Sequence, residues 1–177
     1  TFRDCKNLEK VTIPETATSI GEDVFLGSGV YLNENKWKKG ALIVDDCLVA
    51  TNDEMPAKYV FKNKTPIRLI AEKAFAGRKT LRSVTIPSSI TTIPTAAFYN
   101  CESLIEVIIP QEVRVVGNFA FYGCGLLKTA TLPNELDRLG MGAFYGCRNL
   151  KEQVLSERLT VLEQATFLGC YGLKQIT

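Results

Sequence analysis

Ala97-Phe98-Tyr99-Asn100-Cys101-Glu102-Ser103-Leu104-Ile105-Glu106-Val107-Ile108-Ile109-Pro110 is one unit of a repeat, because its landmarks recur at a fixed interval. Phe75, Phe98, Phe121, Phe144 and Phe167 follow one another at 23 residues, and Cys101, Cys124, Cys147 and Cys170 keep the same step, each three positions after its Phe. Phe2 and Phe25 are also 23 apart, but from Phe25 to Phe75 the step is 50, one period plus a 27-residue insertion. A period between roughly 20 and 50 residues marks a stacked array whose units cannot bury their apolar faces alone.

Aligned on the Phe, the unit reads Ala-Phe-x-x-Cys-x-x-Leu-x-x-Val-x-Ile-Pro-x-x-Ile-x-x-Ile. In Leu-x-x-Val-x-Ile the last apolar residues alternate with polar ones, the period-two mark of a strand buried on one face, and β-branched residues suit it. Proline then ends the strand. The spacing of Ile-x-x-Ile-x-x-x-Ala-Phe is nearer a helical turn and predicts a short helix or 3₁₀ segment on the far side. Stacked coils place Phe25, Phe75, Phe98, Phe121, Phe144 and Phe167 on one another, with Cys101, Cys124, Cys147 and Cys170 as a second interior column, since a free buried Cys behaves as a small hydrophobe. Cys5 falls in the same column. Departures mark weak registers: Ser28 and Arg78 stand where a thiol is expected, Ala130 and Gln153 replace the inward Val, and Ser156 replaces the strand-ending Pro. Gln153 would need a buried hydrogen-bond partner.

These motifs resemble the leucine-rich repeat, and in the Ala-Phe-x-x-Cys-x-x-Leu-x-x-Val-x-Ile-Pro version the BspA-like class of surface repeats. The implied fold is an α/β repeat solenoid, with a curved parallel β-sheet on one face, short helical or 3₁₀ segments on the other, and a β-hairpin insertion near the N-terminal end. The resemblance further implies a non-enzymatic protein at the cell surface or secreted, acting in adhesion or host-protein binding. The whole of 1–177 reads as one array cut from a longer protein, since both ends fall inside a repeat.

The insertion, approximately 28–62, contains Ala41-Leu42-Ile43-Val44-Asp45-Asp46-Cys47-Leu48-Val49-Ala50, two apolar runs around an Asp-Asp turn that predict a β-hairpin. Lys58-Tyr59-Val60-Phe61 would return the chain to the strand column. The only Trp of the chain, Trp37, lies here among Lys36, Lys38 and Lys39. Loops on a rigid scaffold often hold recognition residues, which makes these four a candidate contact site. A Trp beside a hairpin is also the residue type that packs as its lid.

Composition narrows the chemistry. The chain has no His, which excludes Ser-His-Asp and Cys-His nucleophiles and imidazole-ligated metals. No Cys-x-x-Cys occurs, so neither a zinc site nor any cofactor is indicated. Asp45-Asp46 and Asp53-Glu54 are carboxylate pairs in expected turns, where solvation rather than catalysis is the ordinary use. With 21 basic and 19 acidic residues the net charge of +2 gives no general pull toward nucleic acid. Apolar runs such as Val107 to Pro110 are far too short for direct membrane insertion. Asn63-Lys64-Thr65 has the form of an N-glycosylation sequon, followed by Pro66.

The remaining candidate is the outward side of the strands: Lys10 and Thr12, Ser83 and Thr85, Glu106 and Ile108, Thr129 and Thr131, Glu152 and Val154. Thr85, Glu106, Ile108, Thr129, Thr131 and Glu152 are the expected contacts for a protein or glycan ligand, because solenoids commonly bind through such a sheet. A structural spacer that displays other domains is the alternative.

Overall fold

The structure, a computed structural model, describes residues 1–61 and 66–177. In chain order its strands are β1 (Trp37–Lys38), β2 (Ala41–Val44), β3 (Cys47–Thr51), β4 (Lys58–Val60), β5 (Leu69–Ile70), β6 (Ser83–Thr85), β7 (Thr92–Ile93), β8 (Glu106–Ile108), β9 (Val115–Val116), β10 (Thr129–Ala130), β11 (Arg138–Leu139), β12 (Glu152–Gln153) and β13 (Gln175–Ile176). The Asn63-Lys64-Thr65 sequon and the last residue of the expected insertion lie outside the described residues.

Parallel pairing at one full period builds the solenoid. In the first column β4, β6, β8 and β10 lie side by side, with Lys58 opposite Ser83, Ser83 opposite Glu106 and Glu106 opposite Thr129. A second column joins β7, β9 and β11, with Ile93 opposite Val116 and Val116 opposite Leu139. Turns form a third column that is itself bonded from coil to coil: Phe75, Phe98 and Phe121 donate their N–H groups to the carbonyls of Ala97, Ala120 and Ala143 at 2.8–2.9 Å. Each coil thus hands its backbone groups to its neighbours, as parallel ladders require.

The far side differs from the expected α/β arrangement. The Ile-x-x-Ile-x-x-x-Ala-Phe stretch is a second strand followed by turns, and among the described residues helical geometry is confined to α1 (Gly29–Leu32) and a 3₁₀ turn at Glu34–Lys36. The chain is a β-solenoid with very little helix. Two left-handed residues per coil explain this, one two positions before the Phe and one two positions after it: Lys73 and Gly77, Ala96 and Asn100, Phe119 and Gly123, Gly142 and Gly146, Ala165 and Gly169 all have positive φ. A right-handed helix cannot run through such breaks.

Phe75, Phe98, Phe121 and Phe144 are wholly buried and Phe25 nearly so, whereas Phe167 is half-buried. Successive rings stack nearly parallel, 4.7 Å apart for Phe75 and Phe98, 5.2 Å for Phe98 and Phe121, 5.1 Å for Phe121 and Phe144, and 5.6 Å for Phe144 and Phe167. Cys101, Cys124, Cys147 and Cys170 are buried beside them, and Cys5 is exposed.

Two places break the regularity. β2 and β3 pair antiparallel around Asp45 and Asp46, whose positive φ values of 48° and 58° make the tight turn that a twisted two-strand ribbon needs. The Asp45 carboxylate accepts the Ile13 N–H at 2.8 Å, and β3 pairs parallel with β5, so this ribbon fills the second column between the first coil and β5. The other break is at the sixth coil. β12 pairs with β13 and not with β10. Gln153, standing where Val belongs, is buried, and its Oε1 has no hydrogen-bond partner among the described residues. The partner that such a side chain needs is not supplied, and the ladder opens at that residue.

Candidate functional site

Three surfaces present side chains that the packing does not use. The first is the outward side of the strands. Period-two alternation turns Val84 and Val107 inward, so Ser83, Thr85, Glu106 and Ile108 point out. Register aligns Thr85 with Ile108 and Glu106 with Thr129. Ile108 is 51% exposed although it is a large aliphatic residue on a strand. Thr131 follows the end of β10 and is exposed. Glu152 is exposed too, but it belongs to the separate β12–β13 pair and is not continuous with the other five.

The second surface is a cleft of about 630 Å³ lined by Trp37, Lys38, Lys39, Ile43, Pro56, Lys58, Tyr59, Val60, Phe61 and Ile67. It lies between the insertion and the edge of the first strand column. Trp37 is half-buried. Its Nε1–H donates to the Tyr31 carbonyl at 2.9 Å and its ring meets Tyr31 edge-on at 5.2 Å, so the indole is held in place where the residue lines the cleft. Lys38 donates to the Asn35 carbonyl at 2.8 Å and stays at the rim. Lys36 is drawn away, its Nζ donating to the Glu9 carbonyl at 2.8 Å, and it does not line the cleft. The four insertion residues therefore divide into three at the cleft and one tied to the first coil. Tyr59 forms part of the floor, and burial raises the pKa of its phenol above the ordinary value.

The third surface is a tyrosine ladder on the turns. Tyr99, Tyr122 and Tyr145 are half-buried and stack at 4.7 Å per step. Phe119 meets Tyr122 edge-on at 6.0 Å, and its ring lies where a Cβ on Gly142 would fall, 2.7 Å away. Sequence reasoning missed this surface, although the signal was present: the position after the Phe is Tyr in three successive copies.

The thiols are structural donors. Cys101, Cys124, Cys147 and Cys170 donate to the carbonyls of Phe75, Phe98, Phe121 and Phe144 at 3.0–3.2 Å. Burial pushes the Cys101 thiol up to about 12 and Cys170 to about 11, and raises Cys124 and Cys147 as well. A thiol so held is a poor nucleophile. Asp45 is used in the hairpin turn, and Asp53 pairs with Arg78 at 3.0 Å. Among the described residues no group of His, Cys, Asp and Glu is placed to hold a metal, and no helix is long and apolar enough to cross a membrane.

Coils of one strand-turn-strand unit, packed on a Phe and Leu interior, define a leucine-rich repeat solenoid that offers surfaces to its surroundings. A model of the BspA type leucine rich repeat region matches residues 1–40 and 68–177 in 6 copies, and the chain belongs to that family. No curated protein matches the chain. Among solved structures it is similar to the pneumococcal vaccine antigen PcpA, with TM-score 0.72 and 23% identity over 96% of this chain and 44% of that one. A leucine rich cell surface protein from Faecalibacterium prausnitzii gives 0.69 and 22% over 96% of this chain and 47% of that one. A leucine rich repeat protein of T. pallidum gives 0.60 and 24% over 81% and 79%. The chain spans somewhat less than half the length of the first two.

Proposed function

We propose that this protein is a non-enzymatic recognition module, at the cell surface or secreted, that binds a protein partner through the outward face of its strands. The observation behind this reading is the register of Thr85, Glu106, Ile108 and Thr129, which gathers small polar side chains and one half-exposed isoleucine into a continuous face. The family, together with a cell surface protein and a vaccine antigen among the similar structures, supports the location. The partner's contact would centre on Ile108, with Glu106 and the threonines as a polar rim, the usual division of an interface.

The test is biolayer interferometry against a panel of immobilised extracellular-matrix proteins and glycans. Glu106→Lys with Ile108→Arg should weaken any specific binding at least tenfold, and Thr131→Arg should weaken it less. Binding that ignores all three changes overturns the strand-face reading. A protein that binds nothing on the panel is better described as a spacer.

A further inference from the structure

The cleft beside Trp37 has the features of a strand-accepting site. β4 is the last strand of its sheet and β1 the last strand of the ribbon sheet, and both border the cleft. Alternate residues of a parallel strand bond to opposite neighbours. The Ala57 carbonyl accepts the Ser83 N–H at 3.0 Å, so Ala57 and Tyr59 face β6, and the N–H and C=O groups of Lys58 and Val60 point the other way. None of these four groups has a backbone partner among the described residues. An edge of this kind is a template for one more strand.

Side chains around the edge specify what that strand would be. Tyr59, Phe61 and Ile67 are buried at the inner side, and Trp37, Ile43 and Pro56 complete an apolar floor. Lys38, Lys39 and Lys58 form the rim, and no carboxylate is among the lining residues. An extended chain alternates its side chains between two faces. One laid along β4 would send every second side chain to the floor and the others past the lysines.

We infer that the edge of β4 receives an extended segment of a partner protein in which apolar residues alternate with acidic ones, added as a strand beside Lys58 and Val60. Main-chain hydrogen bonds supply affinity, and the alternating floor and rim supply selectivity. The site is separate from the strand face: a chain whose outward face binds nothing can still extend its sheet at this edge.

Trp37 is the only Trp in the chain, so its fluorescence reads the cleft directly. The probe is a capped heptapeptide alternating aspartate with leucine and valine, titrated at low salt into the whole chain. The expected result is a saturable change in emission that weakens as sodium chloride is added. Methylating the peptide's alternate amide nitrogens should abolish it. Lys39→Glu with Lys58→Glu should weaken it at least tenfold. So should Val60→Pro, which removes an outward N–H that the fold does not use and is tolerated at a sheet edge. Glu106→Lys with Ile108→Arg should leave it unchanged, which separates this site from the strand face. The inference is overturned if a lysine-for-aspartate peptide binds equally, if the methylated peptide binds as well as its parent, or if millimolar probe leaves the emission unmoved. A response to a sialylated trisaccharide without one to the peptide also overturns it. The methylated-peptide comparison uses the unaltered protein and decides the matter even if a variant fails to fold.

Discussion

From Phe75 to Phe144 every ring lies flat on the next, whereas Phe25 stacks only on Phe2 among the described residues, at 5.6 Å. Phe75 instead turns an edge toward Tyr59 and Phe61, with centroids 6.3 and 6.4 Å away. The regular coils copy a single solution: Phe on Phe, Cys thiol to Phe carbonyl, strand beside strand. Across the interruption each junction has its own device. Thr51 Oγ1 donates to the Ala74 carbonyl at 2.7 Å, Arg78 bridges to Asp53, and Arg68 donates to the carbonyls of Ile13 and Pro14. A second cleft of about 250 Å³ lies among Phe25, Tyr31, Thr51 and Ala74. Repetition therefore builds the support, and its interruption builds the concavities.

The largest test of this contrast is a ring deleted from each region. Phe121 touches a ring on both sides, at 5.2 and 5.1 Å. Phe121→Ala should lower the unfolding free energy in urea by about 3–5 kcal/mol. Phe25→Ala loses one aromatic pair fewer and should cost about 0.5–1.5 kcal/mol less. Equal losses would show that the interruption is as tightly coupled as the array.

That contrast also marks what could be read from residues alone. Interior columns announce themselves by recurrence, so Phe121, Cys124 and Leu127 could be placed inside, and the 50-residue step announced an interruption of the period. Most of the turns could not be foreseen as turns, because the left-handed residue before the Phe is Lys73, Ala96, Phe119 or Ala165 in four coils, none of which signals such a backbone, and only Asp23 and Gly142 do. Arg78 looked like a lapse in the thiol column. In the fold its guanidinium donates to the Ala76 carbonyl at 3.3 Å and pairs with Asp53 of the interruption at 3.0 Å. The cleft was half legible. Trp37, Lys38 and Lys39 drew attention by composition, but only the folded ribbon brings Ile43, Pro56 and Tyr59 to meet them.

A smaller effect is expected at the sixth coil, where the array is irregular without an insertion. Gln153 buries an oxygen with no partner among the described residues at a position that is Val84 and Val107 in earlier coils. Gln153→Val removes that cost and should stabilise the protein by about 1–3 kcal/mol, read as a rise in the urea midpoint. If closure of the ladder follows, amide exchange should slow around Thr129 and Ala130. A lower midpoint would show that the amide has a role that its replacement cannot fill.

The smallest effect separates coils that have the thiol from those that lack it. Below pH 9 each buried Cys is protonated in both the folded and the unfolded chain, so its contribution to stability is constant; 9.0 is the ordinary thiol value. Above it the unfolded chain releases protons while Cys101 holds its own to about 12 and Cys170 to about 11, so stability falls as pH rises through that window. Each thiol contributes at most about 1.4 kcal/mol per pH unit there. Tyr59, also raised by burial, adds a loss of the same sign at higher pH and is common to both proteins compared. Cys124→Ala should be less stable at neutral pH by about 1 kcal/mol, for the lost S–H donor to Phe98. Its deficit should shrink above pH 9 and reverse at about pH 10, because the variant has one proton fewer to lose on unfolding. Urea midpoints of both proteins across that range decide the matter, and parallel curves would mean that the Cys124 thiol is not shielded from solvent in the way its burial indicates.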